Sequence, residues 1–219
     1  MPSAITVLRR PTGDQIEQLV QLCLRTYDPS EISVKTLAGG DTTRLTLFFS
    51  ASLRCAALGG EIHVATEEGD MNGQFRGVAV WWQPGVEPFS RPVLDSAEQQ
   101  AILDEFVSQL TPEAREWHRT TYRMEFAELT EKALGPGGKL NSWWLSILAV
   151  EPEYQRRGTA RALVEAVQNK ANGSLLSVAA TNELNVAIYK QLGFEVRGQM
   201  VMQSHLDGDF PVFVLAVRK

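Results

Sequence analysis

The stretch that most limits what this chain can fold into runs from Trp143 to Ala171. An apolar strand, Trp143 to Val150, gives way to a polar loop, and the loop ends at Gly158 in a helix with apolar residues at 160, 163, 164 and 167. The period of the apolar residues therefore switches from strand to helix within a few positions. Such a junction leaves the first N–H groups of the helix unpaired, with the positive end of the helix dipole behind them. Phosphate fits there. Gly158, Thr159 and Ala160 are small enough to let a diphosphate approach the backbone, and Arg156 and Arg157 add positive charge beside it. The plainer reading is a strand-to-helix turn with two solvated arginines. The three-glycine dinucleotide pattern and the Gly-Lys-Ser/Thr phosphate loop are both absent, which disfavours nucleotide sites of those kinds.

The rest of the chain reads as strands and helices in mixed order. Ala4 to Arg9 is a predicted strand, and Thr12 with Gln15 forms a capping-box pattern that opens a helix facing inward through Ile16, Leu19, Val20 and Cys23. A second helix is expected from about Thr42 to Leu58, stopped by Gly59-Gly60. Strands follow at Glu61–Glu67 and Phe75–Gln83, joined by a turn holding Gly69, Asp70, Asn72 and Gly73. Val93 to Leu134 reads as a helical insertion, opened by Ser96 with Gln99 and reopened at Thr111-Pro112. After Val150 the expected order is helix (158–171), strand (174–179), helix (185–192) and two strands (194–203 and 211–217).

Composition bounds the partners. The chain has 219 residues, 44% of them hydrophobic, and a formal net charge of −5. That length buries a sufficient core without a disulfide or metal staple, so one domain over residues 1–219 and no metal are expected. An acidic balance argues against nucleic acid or an anionic membrane as the main partner. No stretch approaches the roughly 18 apolar residues of a membrane span. Cys23 and Cys55 fall in helical apolar patterns rather than a paired spacing, which suits buried thiols in a reducing compartment. Asn172-Gly173-Ser174 matches a glycosylation sequon but reads as a turn without a secretory signal. A cytoplasmic protein, with the nucleus as the alternative, acting as monomer or homodimer, is the expectation.

Gln155-Arg156-Arg157-Gly158-Thr159-Ala160 resembles the acyl-CoA signature Q/R-x-x-G-x-G/A of the GNAT superfamily of N-acetyltransferases. Asn185 to Phe194, with Tyr189 four residues after the Asn and Gly193-Phe194 at the end, is similar to a second element of that superfamily. The layout of the insertion and of the Trp81-Trp82 and Trp143-Trp144 strands looks most like puromycin N-acetyltransferase and related fungal members. The resemblance implies an α/β (α+β) GNAT fold: a mixed, strongly twisted sheet of six to seven strands flanked by helices. The helical insertion would span about 93–134 and the acyl-CoA-binding core about 143–203.

It further implies an acetyl-CoA-dependent N-acetyltransferase acting on a primary amine by direct transfer in a ternary complex. Leu148, Ala149 and Val150 would present backbone to the pantetheine arm, Gln155 belongs to the signature, and amides from Arg156 to Arg161 would hold the diphosphate. Asn185 would bind near the co-substrate. Tyr189 would protonate the departing thiolate, for which a phenol within hydrogen-bond reach is suited. The Val150 N–H is a donor for the thioester oxygen as it gains charge. A neutral amine requires a route for its proton, with Glu125, His118, Glu61, His63 and water as candidates. Strand alternation puts one tryptophan of each pair on each face, where half are expected as core and half as candidate lining of an acceptor cleft. A small-molecule amine is the expected acceptor. A protein lysine or N-terminal amine, or a non-catalytic CoA-binding module, are the alternatives.

Overall fold

A computed structural model of the chain describes residues 3–67, 73–86 and 97–218. Strand β1 (Ser3–Val7) leads to helix α1 (Gly13–Thr26), then α2 (Ile32–Leu37), a short 3-10 turn and α3 (Leu45–Gly59). Strands β2 (Glu61–Glu67) and β3 (Gly77–Trp82) precede the helical insertion α4 (Ala97–Ser108), α5 (Pro112–Trp117) and α6 (Arg123–Leu134). The C-terminal part runs β4 (Trp143–Val150), α7 (Thr159–Lys170), β5 (Leu176–Ala180), α8 (Glu183–Gln191), β6 (Glu195–Met202) and β7 (Phe210–Val217). The expected turn at Gly69 to Asn72 and the Ser96 cap lie outside the described residues.

The capping box at Thr12 forms in both directions: the Gln15 amide donates to Thr12 Oγ1 at 3.2 Å and the Thr12 amide to Gln15 Oε1 at 2.9 Å. α2 went unread in the sequence because six residues are too few to establish a helical period. Thr111 caps α5 with Pro112 in its first turn, and a π-helical turn over His118–Tyr122 joins α5 to α6. Asn172 and Gly173 both adopt positive φ, 47° and 80°, so the sequon is a turn.

The seven strands form one sheet in the order β1-β2-β3-β4-β5-β7-β6. Every described pairing is antiparallel except β4 with β5. β3 is buried along its whole length, as befits a strand covered on both faces. One face carries a core of α1, α3 and α4 side chains, including Leu19, Phe49 and Leu53, against Trp82, Trp144 and Ile147. On the opposite face α7 packs Leu163, Val164 and Val167 against Trp81, Trp143 and Leu145. A third cluster places Trp117 and Leu129 of α5 and α6 over Val212 and Val214 of β7. All four strand tryptophans alternate between faces as expected. All four are also buried, Trp82 to 1% and Trp144 to 6% exposure, so Trp82 and Trp144 belong to the core rather than to an open lining.

Candidate functional site

The site begins with a defect in the sheet. β4 and β5 pair only from Trp143↔Leu176 to Leu145↔Val178, and beyond that the two strands have no register. β5 continues to Ala180 with β7 as its partner. On the other side, β4 stays paired with β3 as far as Val150↔Gly77. The Glu151 amide donates to the Arg76 carbonyl at 2.9 Å, toward β3. Antiparallel alternation turns the amides of Ala149 and Ile147 the same way and those of Val150 and Leu148 toward the open edge. Of the three residues that the resemblance assigns to the pantetheine arm, Leu148 and Val150 thus turn their amides to the edge that lacks a partner, while Ala149 turns its amide to β3.

A bulge deepens this opening. The β3–β4 register shifts between Val80 and Trp81, leaving Ser146 as the extra residue on β4. Ser146 is exposed although it lies in the middle of a central strand, so a cleft reaches the sheet there. Its hydroxyl accepts from Trp82 Nε1 at 3.1 Å. Tyr122 of the π-helical turn and Phe126 of α6 form a stacked pair, with ring centroids 5.4 Å apart, and Phe126 meets Trp144 edge-on.

At the C-terminal end of β4 the chain enters the loop to α7. Arg156 has φ 58° and Gly158 φ 85°, both in the left-handed region. For arginine this conformation costs about 1–2 kcal/mol, a strain expected where a loop is shaped for a ligand. A Cβ on Gly158 would meet nothing within 4 Å, so glycine serves the turn here and not a lack of space. It also leaves the N-terminus of the twelve-residue α7 without a side-chain cap. Arg156 and Arg157 are exposed. Arg161 differs from them: its guanidinium donates to the Gln191 carbonyl at 2.7 Å and lies 3.8 Å from Glu165. Gln155 folds back, its Nε2 donating to the Val150 carbonyl at 3.0 Å, and Thr159 is buried. Ala160 follows on the first turn of α7, half-buried against the core that α7 covers. Beside the loop, Gln21, Arg25, Arg76, Glu151 and Tyr154 contribute to a cleft of about 430 Å³.

Tyr189 projects from α8 into the core under β5, edge-on to Phe194 at 5.8 Å. Burial pushes its phenol above the ordinary range, so it stays protonated at neutral pH. Its hydroxyl makes no hydrogen bond among the described residues. A second phenol, Tyr27 at the end of α1, was not singled out from the sequence. Burial above all holds it well above the usual tyrosine range, the nearby Cys23, Tyr189 and Glu31 add to this, and the Leu148 backbone amide facing its oxygen opposes it. Two neutral phenols therefore flank the open edge of β4. Asn185 lies in the first turn of α8, its amide donating to Asn182 Oδ1 at 2.7 Å.

The proposed bases disperse. Glu125 is half-buried on α6 with Oε2 buried and unpartnered among the described residues, and no hydrogen bond there joins it to Tyr27 or Tyr189. His63 and Glu61 pair with each other at 2.9 Å, and Lys170 binds Glu61, under the far end of α7. Burial lowers the His63 pKa despite that carboxylate. His118 donates from Nε2 to the Leu37 carbonyl at 3.1 Å, and burial pushes it down to about 4. Both histidines thus read as neutral structural groups. Missed entirely was Glu31, whose carboxylate accepts from Ser33, Thr181 and Asn182. No local motif marks it, because two of those partners lie about 150 residues away.

A family model described as an acetyltransferase (GNAT) domain matches residues 93–207, more than half of the chain. The chain belongs to the GNAT acetyltransferase family and is an acyltransferase. No curated protein matches it significantly. Solved structures share its fold. A histone acetyltransferase HPA2 and related acetyltransferase from Corynebacterium glutamicum is 18% identical over 99% of this chain and 96% of that one, with a TM-score of 0.60. A polyamine N-acetyltransferase from Drosophila melanogaster, which forms N-acetylagmatine, is 17% identical over 99% and 100%, with a TM-score of 0.57. A mosquito arylalkylamine N-acetyltransferase like 5b is 18% identical over 99% and 100%, also at 0.57. At these identities the likeness is one of fold.

Proposed function

We propose that this chain is an acetyl-CoA-dependent N-acetyltransferase that acetylates a primary amine of a small molecule by direct transfer in a ternary complex. The observation that carries this reading is the unpaired edge of β4, running directly into a glycine-led helix N-terminus and faced by a neutral buried phenol. Acetyl-CoA suits these residues. Its diphosphate meets the amides from Arg156 to Arg161, with side-chain charge from Arg156 and Arg157, while Arg161, held by Gln191 and Glu165, contributes its backbone. Its pantetheine arm runs along Leu148, Ala149 and Val150, pairing on the open edge where Leu148 and Val150 turn their amides, and Asn185 borders it. The thioester supplies an activated acetyl group.

The Val150 N–H, on the open edge, donates to the thioester oxygen as negative charge builds there. Tyr189 gives its proton to the sulfur as the C–S bond breaks; burial keeps that proton in place until then. The aromatic surface of Tyr122 and Phe126, together with the covering insertion, favours a compact amine with an apolar body over a protein tail. Solved relatives named for polyamine and arylalkylamine acetylation support the same acceptor class. No helix among the described residues is long and apolar enough to cross a membrane. Cys23 and Cys55, buried thiols raised to about 12 and about 11, fit a reducing cytoplasmic setting.

Acetyl-CoA should stabilise the folded chain. At about a hundredfold excess over Kd the expected gain is about 2.7 kcal/mol, which corresponds to a rise in Tm of roughly 5–10 °C. A Tm unchanged at saturating acetyl-CoA would overturn the co-substrate assignment.

A further inference from the structure

Resting on the reading above, we propose that Ser146 sets acceptor specificity: its hydroxyl accepts a hydrogen bond from an N–H or O–H on the acceptor's ring, so the preferred amines are arylalkylamines that carry such a donor. Ser146 is exposed in the middle of a central strand, between Leu145 and Ile147, which are 2% and 4% exposed. It is the extra residue of the β3–β4 bulge, a device that re-aims a side chain beside a site. Its bond to Trp82 puts it on the face that Trp82, Trp144 and Ile147 share.

The bonds of the hydroxyl decide what it can take. A serine hydroxyl has one proton and two lone pairs. The proton goes to the Val80 carbonyl at 3.3 Å, and one lone pair accepts from Trp82 Nε1 at 3.1 Å. Val80 and Trp82 are both buried, so water does not replace the hydroxyl as their partner. The second lone pair has no partner among the described residues. Ser146 therefore accepts from a ligand and does not donate to one. The surroundings suit a ring: Trp144, two residues earlier, meets Phe126 edge-on, and Phe126 stacks on Tyr122. Leu148, which turns its amide to the unpaired edge, lies two residues further on, about 7 Å along the strand. A ring donor held at Ser146 thus leaves the amine, on a short alkyl arm, close to the acyl donor.

Two pairs of probe amines test this: tyramine against phenethylamine, and tryptamine against 1-methyltryptamine, the second of each lacking the ring donor. In at least one pair the unsubstituted enzyme should favour the donor-bearing amine about tenfold in kcat/KM. The difference should lie in KM, because the contact is made equally before and during transfer. Ser146→Ala should bring that ratio to within about twofold, and Ser146→Thr, which keeps the hydroxyl, should preserve it. Loss of the Trp82 partner lowers the Tm of the alanine variant, but a ratio of rates on two amines does not depend on the folded fraction, so a purely structural serine would leave it unchanged. No preference in either pair, a preference that survives in Ser146→Ala, or one lost equally in the alanine and threonine variants would each overturn the role while leaving the acetyltransferase reading intact. If the enzyme binds acetyl-CoA and acetylates none of the four amines, the small-molecule acceptor reading falls, and this one with it.

Discussion

At the scale of single residues, the centre of this protein is built from groups that burial keeps neutral. Tyr27 and Tyr189 hold their protons because burial strips a phenolate of its solvation, a loss that the Leu148 amide offsets only in part at Tyr27. His118 is kept neutral by burial above all, which outweighs the hydrogen bond from its ring to the Leu37 carbonyl. In the unfolded chain its pKa returns to about 6.5, so protons favour unfolding. Stability is complete above that pH and falls as the pH drops toward 4, by up to about 3 kcal/mol. His118→Gln should flatten the decline between these pH values in denaturant titrations, and an unchanged slope would remove His118 from the account. Tyr189 was legible in the sequence because its neighbours form a local pattern. Glu31 was not, since its meaning comes from a carboxylate meeting Thr181 and Asn182 across the fold.

At the scale of elements, strand and helix periodicity carried most of the information. β4 begins and ends where its apolar run does, and the capping box at Thr12 starts α1. α2 was invisible because it spans less than two turns, and the bulge at Ser146 because register depends on the partner strand β3. The loop into α7 turns on a left-handed glycine where the diphosphate is proposed to bind. Gly158→Ala adds no clash but forces a Cβ residue to φ 85°. It should lower stability by about 1 kcal/mol and weaken acetyl-CoA binding several-fold as the loop relaxes away from the helix N-terminus. Calorimetric titration with acetyl-CoA checks this, and an affinity equal to that of the unsubstituted chain would show that the left-handed turn does not shape the site.

For the whole molecule, the decisive feature is that a seven-stranded sheet comes apart at its one described parallel pairing. α1 and α3 cover one half of one face, and α5 with α6 covers the other half. The seam between them leaves Ser146 exposed and brings the ends of α1, α2 and α8 together. A net charge of −5 coexists with an exposed arginine pair at the loop, so an acidic chain is compatible with the one diphosphate site proposed for it. The central claim is that acetyl transfer occurs at this seam with Tyr189 supplying the leaving group's proton. Release of free CoA thiol from acetyl-CoA and tryptamine, compared between the unsubstituted enzyme and Tyr189→Phe, tests it directly. Turnover in the variant should drop about 100-fold with acetyl-CoA affinity nearly unchanged, whereas equal turnover in the two proteins would contradict the account.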